Sequence, residues 1–316
     1  MILVVSNGDD LHAHVIVGKL AERGYRASYL LGSDLLATSR PISISLTSEG
    51  NCGSFAHWGR RVSLSEAKIL WLRRPRPPQV LDAGQFSADA AELIHNDCRL
   101  GLNALMTTAF HGKWISRPDA TQLASDKVFQ LTAAKACGFR IPSTLVSQSK
   151  ADVVSFYERH RRDVIVKTLA GINGAFLQTR QLCDPETYPA DVFAVCPAIY
   201  QERIPGSDHI RLNAFGANSY AALIRSDALD WRPNLNVPIA AWSVPSDVHA
   251  KVRAVLDRLG LEMGVIDLKL TPAGEFVWLE VNPQGQFLFL DALTNLRLAD
   301  RFADYLIEEA RQVELP

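Results

Sequence analysis

Val265-Ile266-Asp267-Leu268-Lys269-Leu270, then Pro272-Ala273-Gly274, then Trp278-Leu279-Glu280-Val281-Asn282-Pro283 is the stretch that decides the fold of this chain. It reads as a β-hairpin. Ile266, Leu268 and Leu270 alternate with Asp267 and Lys269, so apolar side chains take one face and charged ones the other. On the second strand Trp278, Glu280 and Asn282 are expected to share a face. A two- or four-residue loop centred on Ala273-Gly274 places Asp267 opposite Glu280. A three- or five-residue loop slips the register by one and breaks that pairing. Carboxylates facing each other across strands, with Cβ atoms roughly 5 Å apart, repel. A hard dication between them relieves the repulsion. Mg²⁺ takes carboxylate and amide oxygens at about 2.0–2.1 Å and keeps positions open for phosphates. Asn282 adds a neutral oxygen on the Glu280 face. The apolar neighbours Val277, Trp278, Leu279 and Val281 fit poorly with an ordinary solvated strand, so the hairpin is expected to be a Mg²⁺–nucleotide platform.

With 316 residues the chain is long enough for two or three modules and a substantial core. Hydrophobic residues make up 47% and charged residues 21%, the balance of an ordinary globular protein. The 33 basic and 34 acidic side chains nearly cancel, which argues against a general nucleic-acid or membrane-surface binder. Five cysteines, an odd number without a CxxC, fit a reducing compartment better than a disulfide framework. No apolar run is long enough to span a bilayer. The first strand has no basic segment ahead of it, so no signal peptide is expected and the reading is a cytoplasmic protein.

Ile2-Leu3-Val4-Val5-Ser6 predicts a buried strand, and a helix follows from about Leu11 to Arg23, ended by Gly24. Strand then helix opens an α/β sheet. Residues 40–65 are turn-rich with hairpin-like fragments. Ile69 to Leu72 predicts a second strand, running into Arg73-Arg74-Pro75-Arg76-Pro77-Pro78, where prolines stop regular structure. A long helix is expected over about 88–110. Near Arg117-Pro118 a second module begins: Ser125 is expected to cap a helix that Gly138 ends. Val164-Ile165-Val166-Lys167, residues 199–204 and the pair 210–215 and 219–224 read as strands. Ser246 is expected to cap a helix closed by Gly260, and a last helix covers about 299–312. His12-Ala13-His14 is read as a loop feature, since no third metal ligand is near.

Lys167 leaves its strand into Leu169-Ala170-Gly171-Ile172-Asn173-Gly174-Ala175, a glycine-containing loop able to fold over phosphates with its backbone N–H groups. Lysine supplies a point charge for phosphate oxygens. Lys127 stands at a helix start. Gln201-Glu202-Arg203-Ile204 offers backbone donors and acceptors to a purine ring, and Asp208 can accept from ribose hydroxyls. Arg211 is one of few charges in an apolar stretch, and Asp230-Trp231-Arg232 is a compact polar and aromatic group. Arginine's planar fork matches a carboxylate or acyl phosphate. Each feature alone has an ordinary structural reading: a snorkelling lysine, a solvated strand end, a structural ion pair. No Walker A motif, GxGxxG fingerprint or GxSxG elbow is present. Their order along the chain is the informative signal.

That order resembles the ATP-grasp superfamily of carboxylate–amine ligases. Leu279-Glu280-Val281-Asn282-Pro283-Gln284-Gly285-Gln286-Phe287 is similar, more narrowly, to the graspetide (microviridin-type) peptide maturases. Trp71-Leu72-Arg73-Arg74-Pro75, Ala124-Ser125-Asp126-Lys127 with Gln130-Leu131, Ile141 to Val146 and Asp230-Trp231-Arg232 extend the resemblance over nearly the whole chain. Leu72 departs from the pattern, where an aromatic residue is frequent. The resemblance implies an α/β (α+β) ATP-grasp fold with a pre-ATP-grasp domain (1–116), a central lid domain (117–200) and a C-terminal catalytic domain (201–316). It implies ATP held by Lys127 and Lys167, adenine lined by Gln201, Glu202 and Ile204, and ribose bound by Asp208. Two Mg²⁺ ions would sit on Asp267, Glu280 and Asn282, with Arg211 and Arg232 stabilising the acyl phosphate and tetrahedral intermediate. The implied partner is a precursor peptide with a leader segment, crosslinked as a macrolactone or macrolactam with release of ADP by a homodimeric enzyme. The same site also suits a ligase joining amino acids or extending a small acid, or a nucleotide-binding regulatory module without turnover. Intact Asp267, Glu280 and Asn282 speak against the last.

Overall fold

The decisive hairpin forms, but not by the simple register. In the computed structural model, which describes residues 1–76, 86–171 and 177–315, strands Met263–Leu270 and Phe276–Asn282 pair antiparallel. Leu270 faces Phe276, which leaves the five residues Thr271 to Glu275 in the loop. That length alone would set Asp267 against Leu279. A bulge absorbs the mismatch: Leu268 faces Trp278 and Asp267 faces Glu280, so Leu279 is the extra residue. Gly274 takes φ 82° in the turn, a conformation only glycine reaches without strain.

The bulge also corrects the face assignment. Trp278 does not share the face of Glu280. It points the other way and is fully buried with Ile266, Leu268 and Val281, its ring 5.3 Å from that of Phe139. The hairpin is the end of a five-stranded antiparallel sheet in the order Ile239–Trp242, Asn218–Arg225, Asp208–Phe215, Met263–Leu270, Phe276–Asn282. Helices Lys127–Ala136 and Ser246–Leu259 cover its Trp278 side.

At the other end of the chain, Ser28–Gly32, Ile2–Ser6, Ile69–Arg74 and Lys113–Ile115 form a parallel sheet. The fully apolar Ile2 to Val5 run is buried on both faces, as parallel strands require. A small antiparallel sheet, Ile42–Thr47, Gly50–His57 and Arg60–Ser63, packs beside the long helix Ala88–Ala109. The first helix, Leu11–Glu22, and the last, Leu298–Gln312, fill the space between this sheet and the hairpin sheet. One core results, holding Val4 and Trp71 from the first sheet, Phe302 from the last helix, and Phe215 and Val265 from the hairpin sheet.

From the middle of the chain comes a fourth, central sheet in the order Arg180–Gln181, Val164–Lys167, Ala198–Glu202, Thr144–Ser147. It has its own core around Phe156, Tyr157 and Tyr200. Arg203 and Ile204 lie beyond the strand they were expected to complete.

Two helix caps differ from expectation. Asp126, not Ser125, caps Lys127–Ala136: its carboxylate accepts from the N–H groups of Val128 and Phe129 at 2.8 and 3.1 Å. Ser246 is already the first residue of its helix, with Pro245 before it. Proline has no side-chain acceptor, and no side chain caps the helix at that position. His12 and His14 lie in the first helix, not in a loop.

Because Trp278 belongs to the core and not to the site face, Trp278→Ala should destabilise folding by about 3–5 kcal/mol. Urea unfolding followed by tyrosine and tryptophan fluorescence measures this; a loss below about 1 kcal/mol would place Trp278 on the cleft side.

Candidate nucleotide-binding site

The face of the hairpin sheet opposite Trp278 meets the central sheet, and a cleft runs between them. Eight of the eleven residues singled out in the sequence line it: Lys127, Lys167, Gln201, Glu202, Ile204, Arg232, Asp267 and Glu280. They come from five separate segments, and the geometry of each follows from its element.

Asp267 stands beside Arg211 on the neighbouring strand. Arg211 Nη1 donates to both Asp267 oxygens, at 2.9 and 2.7 Å, and its Nη2 donates to the Gln286 carbonyl at 3.1 Å. Arg211 therefore lies behind Asp267 and does not itself line the cleft. Burial pushes the Asp267 carboxyl up; Arg211 opposes this and the Glu280 charge adds to it. Arg232 takes Asp230 through two N–H groups, at 2.8 and 2.7 Å, and its Nη1 lies 3.7 Å from Glu280. Burial works against its charge, but Asp230 and Glu280 hold its pKa above the usual arginine range.

Lys167 ends its strand facing the carboxylates. Burial lowers its pKa to about 8; Glu280 counters, while Lys127 and Arg232 push further down. Lys127 reaches over from the opposite helix and donates to the Thr168 carbonyl at 2.8 Å. Burial lowers its pKa as well. Of the glycine loop after Lys167, Gly171 lines the cleft, while Ile172 to Ala175 lie outside the described residues, as do Pro77 and Pro78 of the proline run.

Two expected ligands stand apart. Asn282 is exposed, and its Oδ1 accepts from the Gln284 N–H at 3.0 Å. Asp208 pairs with Arg225 at 3.4 Å. Both sit at strand ends, where local backbone and neighbouring charges compete for short side chains.

The structure adds residues that periodicity did not single out. Gln130, buried, donates to the Val281 carbonyl and accepts from the Val281 N–H, both at 2.8 Å. It acts as one more strand partner and fixes Lys127 relative to Glu280. His12 is neutral, because burial and then Arg73 lower its pKa to about 3. Its Nε2 accepts from the N–H groups of Phe287 and Leu288, at 3.0 and 3.3 Å. Trp71 Nε1 donates to Gln284 Oε1 at 3.0 Å, and Arg73 and Arg74 each donate to the Gln284 carbonyl at 3.1 Å. The segment after strand Phe276–Asn282 is thus clamped to the first sheet. Lys269, His209, Leu268 and Leu279 also line the cleft.

The fold that bounds this cleft is the ATP-grasp fold. Among solved structures the chain matches the macrocyclase MdnC bound with precursor peptide MdnA, from Microcystis aeruginosa, at TM-score 0.84 and 22% identity, over 97% of this chain and 99% of that one. It matches a Chryseobacterium gregarium RiPP-associated ATP-grasp ligase, in complex with ADP and a leader and core peptide, at TM-score 0.88 and 22% identity, over 98% and 96%. A RimK domain ATP-grasp protein from Sphaerobacter thermophilus matches at TM-score 0.57 and 16% identity, over 96% and 99%. No family model and no curated protein matches the sequence.

Lys167 carries its full charge only below about pH 8. An anion such as ADP binds the charged form, so its affinity should fall as pH rises past that value, by up to about tenfold per pH unit. Folding runs the other way: the folded chain releases this proton before the unfolded one, so stability rises with pH from about 8 to the ordinary lysine value of 10.5. Calorimetric ADP titrations from neutral pH upward check the first effect. Lys167→Met should make the fall shallower without abolishing it, because burial also lowers the pKa of Lys269 in the same cleft to about 8; an unchanged profile in that variant would remove Lys167 from anion binding.

Proposed function

We propose that this chain is an ATP-dependent carboxylate ligase that forms side-chain ester or amide crosslinks in a ribosomal precursor peptide. The observation that carries the reading is the single cleft holding Lys127, Lys167, Arg232, Asp267 and Glu280, in a fold that follows two peptide-bound ATP-grasp structures end to end.

The residues present fit magnesium. Asp267 and Glu280 are hard oxygen donors held opposite each other, and the upward pressure on the buried Asp267 carboxyl is what a neighbouring dication relieves. Asn282 joins them by releasing the Gln284 N–H. Two ions are proposed, as suits a triphosphate. When bound, magnesium screens the phosphate oxygens and the charge of the leaving diphosphate. A related ligase, PsnB, has been solved with a minimal precursor, Mg and ADP.

Lys127 and Lys167 hold the phosphates. Gln201, Glu202 and Ile204 line the base, and Asp208 turns from Arg225 to the ribose hydroxyls. An Asp or Glu carboxylate of the peptide attacks the γ-phosphorus, and the bond to ADP breaks. A Thr or Ser hydroxyl, or a Lys amine, then attacks the acyl carbon and gives up its proton as phosphate leaves. Arg232, in the cleft, answers the developing negative charge, and Arg211, behind Asp267, contributes through that carboxylate. Both are already fixed by carboxylates, so little reorganisation accompanies the step.

In this reading residues 1–116 form the pre-grasp part, 117–200 the lid and 201–316 the catalytic part, with helix Lys127–Ala136 lent to the last. The enzyme works in the cytoplasm as a homodimer on a leader-bearing peptide, without nucleic acid or membrane partners. Among the described residues no helix is long and apolar enough to cross a membrane.

Purified protein with ATP, Mg²⁺ and a candidate peptide encoded beside it should release ADP and remove one water from the peptide per ring formed, as read by mass spectrometry. ADP appearing only with free amino acids or a small acid would replace the peptide substrate. Glu280→Gln should abolish ADP release while the thermal melt is kept. Turnover retained in that variant would remove Glu280 from the metal site.

A further inference from the structure

Two residues of the cleft take no part in the reaction described above. Lys269 and His209 are each 6% exposed and face each other across paired strands. Lys269 Nζ lies 2.9 Å from His209 Nε2. Burial, then the Lys269 charge, lowers the His209 pKa to about 4, so the ring is neutral and Nε2 accepts from the ammonium. That contact uses one of the three ammonium donors. Among the described residues Lys269 makes no carboxylate ion pair and has no other hydrogen bond. Burial, then Arg203, lowers its pKa to about 8, while Asp208 and Asp227 favour its charge from farther away.

A buried ammonium whose one hydrogen bond among the described residues is to an imidazole is an expensive arrangement unless a ligand completes it. Its position indicates which ligand. Lys269 is two residues past Asp267 on one strand and one face, about 7 Å along the sheet. The row Arg211–Asp267–Glu280 lies on one side of it. On the other side the cleft closes on Glu202 and Ile204. A nucleotide with its terminal phosphates at Asp267 and Glu280 and its base at Ile204 passes Lys269 in between.

We propose that Lys269, held in place by His209, is a nucleotide-binding residue that donates to an oxygen where the ribose joins the α-phosphate. The proposal rests on the reading of the cleft as an ATP site. It gives this chain a third lysine contact, after Lys127 and Lys167, on the nucleoside side of the metal row.

Isothermal titration of wild type and Lys269→Met with ADP, AMP and adenosine, each with Mg²⁺, tests it. Methionine keeps the length and removes the buried charge, so the fold should persist, as a thermal melt will show; Lys269→Gln serves if it does not. ADP and AMP should bind roughly 10- to 100-fold more weakly to the variant, the range for losing a charged hydrogen bond. A parallel loss with adenosine places the contact on the ribose, and an unchanged adenosine affinity places it on the α-phosphate; either supports the proposal. Unchanged AMP and ADP affinity in the variant, with wild type binding both, overturns this proposal alone. A wild-type protein that binds no ADP overturns the ATP reading and this proposal with it.

Discussion

Two like charges set face to face are the constraint around which this molecule is organised. For unit charges at cross-strand spacing the repulsion is roughly 3 kcal/mol at an effective dielectric of about 20. A strand pair left to itself would slip to avoid it. The bulge at Leu279 does the reverse: it takes a loop whose length would separate Asp267 from Glu280 and brings them opposite. Arg211 then offsets part of the repulsion from behind, Arg232 from the side, and Lys167 from the facing sheet. Each cation is itself held by a carbonyl, a carboxylate or burial in a strand.

Holding such a pair in place requires a rigid frame, and the frame is built between the ends of the chain. Just past Asn282 the backbone must pass over Val265, where a Cβ on Gly285 would lie 2.4 Å from the valine Cβ. Only glycine allows that approach. On either side of it the chain is tied to the first sheet, through Trp71, Arg73 and Arg74 at Gln284 and through His12 at Phe287. The same segment gives the Gln286 carbonyl to Arg211. The buried Arg73–Asp10 ion pair, at 2.9 Å, braces the sheet side of this junction. A change in the first sheet therefore reaches Asp267 through one short stretch of backbone.

What the sequence makes legible follows the range of the interaction. Ile2 to Ser6, Val164 to Lys167 and the Asp208 to Arg225 hairpin are read correctly from apolar runs and turn residues, because burial and turn chemistry are local. The Asp267–Glu280 pairing is anticipated, yet for the wrong loop length. A bulge has no signature in alternation except a break that looks like noise, and here it moves Trp278 from the site to the core. Asp126 against Ser125 is a contest between adjacent capping residues that only the entry angle of the helix decides. Gln130, His12 and Gln284 are invisible to periodicity for a different reason. Each bonds a group more than a hundred residues away, a backbone N–H for Gln130 and His12 and the Trp71 indole for Gln284, and nothing in their neighbourhood marks the partner. Asp208 and Asn282 are singled out by motif, and in the structure they serve local contacts to Arg225 and to the Gln284 N–H.

The charges of the cleft give the last step. Among the described residues its walls carry Lys127, Lys167, Arg232 and Lys269, and against them Glu202, Asp230, Asp267 and Glu280. The two sets cancel, as they do over the whole chain. A neutral cleft of low dielectric gives a tetra-anion little net attraction, and its two facing carboxylates repel it where the terminal phosphates must lie. In the proposed reaction ATP therefore has to arrive with divalent cations, which turn those carboxylates from a barrier into ligands. In that reading the facing carboxylates that repel each other across the hairpin make nucleotide binding conditional on the metal, and the lysines add their charge to a site the metal has already made receptive.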